Sequence, residues 1–229
     1  MYNRSHQLII DRFQPYGLDP RALATCYAMA ENVFAVSQGG VDSPVTIDKI
    51  SQRAFHDKHI ARPSSGDEET LSILFAGVPI ANTQLRVVDR IFNELTERHI
   101  GEIALHCECV LSGYTNLPSI TENAFRYGWY LSGDLGYPAN GELIITGRTK
   151  DFIILGGKHV YPLDPEQRAS EVPGVHPGRV AAFGIFNDRS GTADVVHVAK
   201  IDDQYEAERD QIANHIRQIV THGSDVALR

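Results

Sequence analysis

Cysteine is scarce: three in 229 residues, at Cys26, Cys107 and Cys109. An odd count with a C-x-C spacing fits neither a disulfide framework nor a zinc site. All three are expected to be small buried hydrophobes in a chain kept in a reducing, cytoplasmic environment. Clustered positive charge is missing too. Lysine and arginine total 21 against 29 acids, a formal net charge of -8 with no basic run. That argues against nucleic acid or an anionic membrane as partner. No apolar run approaches the width of a bilayer. The opening MYNRSHQLIIDRF holds no signal-peptide core, and the ten histidines form no H-E-x-x-H pair. Internal repeats and low-complexity tracts are absent. What is there is a chain 42% hydrophobic, long enough for one or two domains with a sizeable core.

Leu8–Phe13 is a short apolar segment, and a Pro/Gly turn follows it. The stretch from Arg21 to Glu31 reads as a helix starting after Pro20. Residues 37–70 carry SQGGVDSP and RPSSGDEE and read as a long surface excursion. From Leu71 the texture turns β-like: SILFAG, QLRVVD and EIALHCECV each alternate with period two. TENAFRYGWY reads as a short helix leading into a strand. Asn140-Gly141 supplies the positive φ of a hairpin turn between YLSGDLGY and ELIITG. After the charged knot TGRTKD come FIIL, a helix in DPEQRASEV with Asp164 as N-cap and Pro165 at its first position, and strands in RVAAFGIF and ADVVHVAKI. A surface helix over Gln204–Val220 follows, with Ile212, Ile216 and Val220 on one face. The chain changes character near 148–152, from β-rich material to a compact α+β unit.

Three constellations could carry chemistry. Glu31, in CYAMAENV, is either a solvated glutamate at a helix end or a carboxylate presented to a metal–phosphate complex, since Mg²⁺ takes hard oxygen ligands. Asp134, between the glycines of SGDLG, is either an Asx-turn residue or an acceptor for two ribose hydroxyls. Arg148, in TGRTKD, is either a solvated hairpin tip or a fork of donors for a ribose or phosphate oxygen. A hairpin turning at 138–141 lies between Asp134 and Arg148. It would bring the two together at one end, where they could close on one sugar.

The order YAMAE, GEI (Gly101–Ile103), GYxN (Gly113–Asn116), GWYLSGDLGY and GELIITGRTKDFIILGGKHVYP resembles the adenylate-forming ligase superfamily of acyl-CoA synthetases, fatty acyl-AMP ligases and adenylation domains. The fatty acyl-AMP ligases are the closest in flavour, through RFQPYGLDPRALATCYAMAE, KDFIILGGKHVYPLD and PGVHPGRVAAF. The resemblance implies an α+β fold. Residues 1–147 would be the β-rich C-terminal part of the large AMP-binding domain, 148–152 a hinge, and 153–229 a small mobile α+β domain. It further implies that Tyr27 stacks on adenine, that Glu31 ligates Mg²⁺ at the phosphates of ATP, and that Asp134 holds the ribose hydroxyls with Arg148 beside it. Lys150 would be the hinge residue, and Gly156, Gly157 and Lys158 would line the approach of a thiol. A fatty acid would be activated as its acyl-adenylate and passed to coenzyme A or the phosphopantetheine of an acyl carrier protein.

The sequence departs from that pattern in three places. A Gly/Ser/Thr-rich phosphate loop of the type SSGTTGxPK is missing; SSGDEE at 64–69 follows YAMAE instead of preceding it and carries acids where phosphate needs donors. The P-x-x-x-x-G-K motif with the catalytic lysine does not appear before the chain ends at THGSDVALR. Ala28 stands where the family has glycine, a strain if the position needs positive φ. The expectation is a piece of a longer ligase, not competent alone and completed by a complementary N-terminal fragment. The alternative is a non-catalytic nucleotide-binding or interaction module.

Overall fold

The alternating segments between residues 70 and 106 do form strands, and much of the first half of the chain is built around them. In a computed structural model describing residues 3–41, 43–149, 153–155, 158–160, 162–187 and 192–224, the chain divides into two compact units, Met1–Thr149 and Lys150–Arg229. The fold is α+β.

The first unit runs α1 (Asn3–Phe13), β1 (Thr25–Ala28), β2 (Ala35–Gly39), β3 (Ile47–Ser51), α2 (Gln52–Lys58), β4 (Thr70–Leu74), β5 (Val78–Pro79), β6 (Gln84–Val88), β7 (Gly101–His106), α3 (Pro118–Ala124), β8 (Phe125–Arg126), β9 (Trp129–Ala139) and β10 (Glu142–Arg148). The largest sheet is antiparallel in the order β10-β9-β7-β6, with β8 on β9; β1-β2-β5 and β3-β4 form smaller ones. Exchange of backbone hydrogen bonds between the Ala76–Gly77 segment and Leu143 stitches β10 to the chain between β4 and β5. Tyr27, Val36, Ala76, Val87, Ile103, Leu105, Tyr130 and Leu143 make one buried core across these sheets.

Three expectations are corrected here. The stretch after Pro20 is a single 3-10 turn, Pro20–Ala22, followed by β1. Alanines favour a helix there, but pairing with β2 and burial of Tyr27 outweigh a propensity worth only tenths of a kcal/mol per residue. The supposed excursion over 37–70 contains β3 and α2. The cysteines are not all buried: Cys26 and Cys107 are half-buried and Cys109 is exposed at a turn, all with free thiols.

The second unit runs β11 (Ile153–Leu155), β12 (Lys158–Val160), α4 (Leu163–Ser170), β13 (Val175–Asn187), β14 (Thr192–Ile201) and α5 (Arg209–Ser224). Its hairpins are β11–β12 and β13–β14. The apolar stripe of α5 does what its spacing predicts: Ile212, Ile216 and Val220 pack with Ala169, Val172 and Val175 in a core of their own. One capping expectation fails. Helix α4 starts at Leu163 with Pro162 as N-cap and no side-chain cap bond, so Asp164 and Pro165 lie inside the first turn. Among the described residues no helix is long and apolar enough to cross a membrane.

Candidate functional site

The site grows from the β9–β10 hairpin. Asn140 and Gly141 turn it with φ of 54° and 80°, as the sequence requires of a two-residue loop. Register runs from Glu142 opposite Ala139 to Ile145 opposite Gly136, then slips by one at a bulge before Gly147. Because of the bulge Arg148 faces Asp134. In an unbroken register Gly133 would be its partner, and the Arg148 side chain would leave on the opposite face.

Both Asp134 oxygens are engaged. Arg148 donates from Nε to Oδ1 at 3.1 Å, and the Tyr27 hydroxyl donates to Oδ2 at 2.6 Å. The Asp134 amide donates to Ser132 Oγ at 3.0 Å, while that hydroxyl donates to the Ile103 carbonyl at 2.7 Å. Asp134 is 9% exposed, but the Arg148 side chain is 70% exposed. The pair thus sits at a surface, a buried acid under a wet guanidinium. Gly133, at φ 73°, donates its N–H to Glu102 Oε1 at 3.1 Å and accepts from the Thr149 amide at 2.7 Å. Burial pushes the Glu102 carboxyl above its usual range, against the pull of the Gly133 N–H. The Tyr27 phenol is pushed up by burial and then by its bond to Asp134, so it stays a donor. At 7% exposure its ring belongs to the core.

Glu31 lies on a separate 3-10 turn, Ala30–Asn32. Its carbonyl accepts from the Leu111 amide at 2.8 Å, and its Oε1 accepts from the Tyr114 hydroxyl at 3.3 Å. Tyr114 and Tyr130 hydroxyls meet at 2.9 Å. Beyond Glu31, Asn32 is 2% exposed and fixed by Nδ2 to the Ala35 carbonyl. Val33 sits at φ 63°, ψ -53°, with the Phe34 amide bonded to the Asn32 carbonyl at 2.6 Å. That is a γ-turn of the strained, positive-φ kind, unusual for a β-branched residue.

So the structure brings Tyr27, Asp134 and Arg148 into one bonded cluster and sets Glu31 apart, joined to Tyr130 through Tyr114. Ala28 lies in β1 without positive φ, so alanine meets no backbone strain there. The SSGDEE segment is closed on itself: Glu68 accepts from Ser51, Arg62 and the Ser65 amide, donors a phosphate would need. Lys150, Gly156 and Gly157 lie outside the described residues, and Lys158 opens β12. The sequence reading gave no role to Tyr114, Tyr130, Ser132 or Glu102. All four sit inside quoted motifs, and nothing in the spacing shows that their side chains converge.

No protein-family model matches the chain. It is 30% identical over 223 residues to the putative ligase Rv1013 of Mycobacterium tuberculosis, covering 96% of this chain and 41% of that protein. It is 34% identical over 191 residues to the probable long-chain-fatty-acid–AMP ligase FadD30 of the same organism, across 77% of this chain and 32% of the relative. Among solved structures, a fatty acyl-adenylate ligase from a study of the E. coli and L. pneumophila enzymes superposes with a TM-score of 0.88 at 23% identity, over all of this chain and 41% of that one. The McyG A-PCP structure with phenylalanyl-adenylate superposes with a TM-score of 0.77 at 25% identity, over 33% of its own length. The chain belongs to the adenylate-forming ligase superfamily. It spans about two fifths of the length of Rv1013.

Proposed function

We propose that this chain is the C-terminal portion of an ATP-dependent ligase that activates a carboxylic acid, in the first instance a fatty acid, as its acyl-adenylate and hands the acyl group to a pantetheine thiol of coenzyme A or an acyl carrier protein. The observation that carries the reading is the Tyr27–Asp134–Arg148 cluster. A carboxylate held by two donors keeps free lone pairs for two ribose hydroxyls, and an exposed guanidinium beside it offers donors to a further oxygen. Tyr27 would border adenine and orient Asp134. Residues 1–147 would belong to the large nucleotide-binding domain and 153–229 to the small mobile one, with Lys150 in the hinge and Gly157 and Lys158 on the thiol side. The cytoplasm is the compartment where such a ligase would meet its thiols.

Mg²⁺ fits one station. Among the described residues no three His, Cys, Asp or Glu converge as a metal cage. A cation here would therefore take one carboxylate and depend on phosphate oxygens for the rest, a normal arrangement for Mg²⁺. Glu31, half-buried and held through Oε1, is that carboxylate.

A second reading draws on the 64–69 segment, where Glu68 occupies the donors: the chain is a non-catalytic module that binds a nucleotide and activates nothing, with or without a complementary N-terminal fragment. Carboxylate-dependent ATP–pyrophosphate exchange separates the two. The 229-residue chain is expected to show none alone and to gain exchange when the N-terminal part of a relative is added. Exchange by the chain alone would overturn the need for a second fragment. AMP titration by calorimetry tests the cluster. Asp134→Ala should weaken binding by about tenfold or more, the effect of losing charge-assisted bonds; an unchanged isotherm would remove Asp134 from the site.

A further inference from the structure

A tyrosine hydroxyl carries one proton and an ionised carboxylate carries none. Tyr114 spends its proton on Glu31 Oε1 at 3.3 Å. The proton in the 2.9 Å contact between Tyr114 and Tyr130 must then come from Tyr130. The bonds acquire a direction, from Tyr130 to Tyr114 to Glu31. Tyr130 is 4% exposed and anchored in the core beside Leu105 and Val87. Burial, and then the bond to Tyr114, push its phenol far above its usual range, so the donor at the head of the chain does not titrate away. The segment that carries Tyr114 grips Glu31 twice, since the Leu111 amide also binds the Glu31 carbonyl at 2.8 Å. Tyr114 is itself fixed by its amide donating to Thr121 Oγ1 at 2.8 Å.

We infer that Tyr114 and Tyr130 are positioning residues, whose hydroxyls form a directed chain that aims the Glu31 carboxylate at a phosphate-bound divalent cation. This rests on the nucleotide-binding reading above. Neither residue needs to touch the nucleotide. Glu31 sits on a short turn next to a strained Val33, and a carboxylate there has little else among the described residues to fix its rotamer. A ligand to Mg²⁺ must be held near one geometry, because the ion demands an octahedral shell.

The test is a mutant cycle with two readouts on the 229-residue chain. The first is thermal melting without ligand. Tyr114→Phe strands the buried Tyr130 hydroxyl and should lower Tm. The double variant Tyr114→Phe/Tyr130→Phe removes both partners, and Tm should recover towards the wild type. The second is calorimetry with AMP in the absence of metal and with ATP plus Mg²⁺, read as the ratio of the two affinities. Tyr114→Phe and the double variant should each lose about tenfold in that ratio, while Tyr130→Phe, which leaves the Tyr114 proton on Glu31, should lose less. A purely structural pair would recover both readouts in the double variant. The inference is overturned if Tyr114→Phe keeps the wild-type ratio, or if Tm does not recover in the double variant. If the wild type binds AMP but its ATP affinity ignores Mg²⁺, the aim of Glu31 at a cation is refuted while the ribose site stands. If the wild type binds neither ligand, the nucleotide reading itself is refuted, and the Tm cycle alone decides whether the hydroxyl chain exists.

Discussion

Tyr27 shows how little of a residue's work its motif reveals. Its place before Ala28 suggests a ring for stacking, but its hydroxyl is what reaches Asp134, at 2.6 Å. Tyr27→Phe keeps the ring and removes the donor. If the hydroxyl orients Asp134, this substitution should weaken AMP binding several-fold in calorimetry; equal affinity would leave stacking as the whole of its role. Glu68 allows a second test at the same scale. The Ser51 hydroxyl, then Arg62 and the Ser65 amide, hold its carboxyl down from 4.5 to about 2. A depressed carboxyl stabilises the fold above its unfolded value and loses that contribution as pH falls through the folded one. The stability of the first unit should therefore decline between about pH 4.5 and pH 2, and urea melts should find that decline shallower in Glu68→Gln. An identical acid limb would mean Glu68 is not held as the geometry indicates.

Elements differ in how openly the chain declares them. The β9–β10 turn was legible because Asn-Gly is a local steric statement, and α5 because its apolar residues fall on one stripe. Strand β3 was not, and Asp48 is the reason. In IDKIS the apolar Ile47 is exposed, while the charged Asp48 is buried, at 8%, in phase with Ile50. Asp48 is held by Arg98 at 3.0 Å and by the Tyr137 hydroxyl at 3.0 Å. A buried acid inverts the alternation that marks a strand, and its partners lie 50 and 89 residues away. Removing Asp48 takes the acceptor from the buried Tyr137 hydroxyl and leaves Arg98 only the Ala61 carbonyl. Asp48→Ala should cost about 3 kcal/mol in urea unfolding; a loss near zero would show that the cluster is solvated. The site divides the same way. Asp134 and Arg148 could be paired from the hairpin, but the slip that makes them face, and the convergence of Tyr114 and Tyr130 on Glu31, arise from contacts distant in sequence.

At the scale of the whole molecule, each unit has its own core: Tyr27, Val36, Ile103 and Leu143 in one, Ala169, Val172, Ile212 and Ile216 in the other. Two cores make two cooperative transitions the natural outcome of calorimetry. Ile216→Ala, at a position 7% exposed, should cost about 2–5 kcal/mol and lower one transition, while Asp48→Ala should lower the other. A single transition shifted by both would show the two cores unfolding as one. The sequence changes character near residues 148–152, and the compact units meet in the chain between Thr149 and Lys150; that each buries a separate set of side chains is not written in the local pattern.

The slip before Gly147 means that β10 is written in two phases. Up to Ile145 its odd and even positions follow one assignment of faces, and from Gly147 they follow the other. The first phase serves the core, through Leu143 and Ile144. The second serves Arg148 alone. A lineage could lose the slip and still keep the turn, the sheet and the buried residues behind it, yet its arginine would look away from Asp134. The one-residue offset is thus a place where descent could silence the site while every gross measure of folding stayed the same.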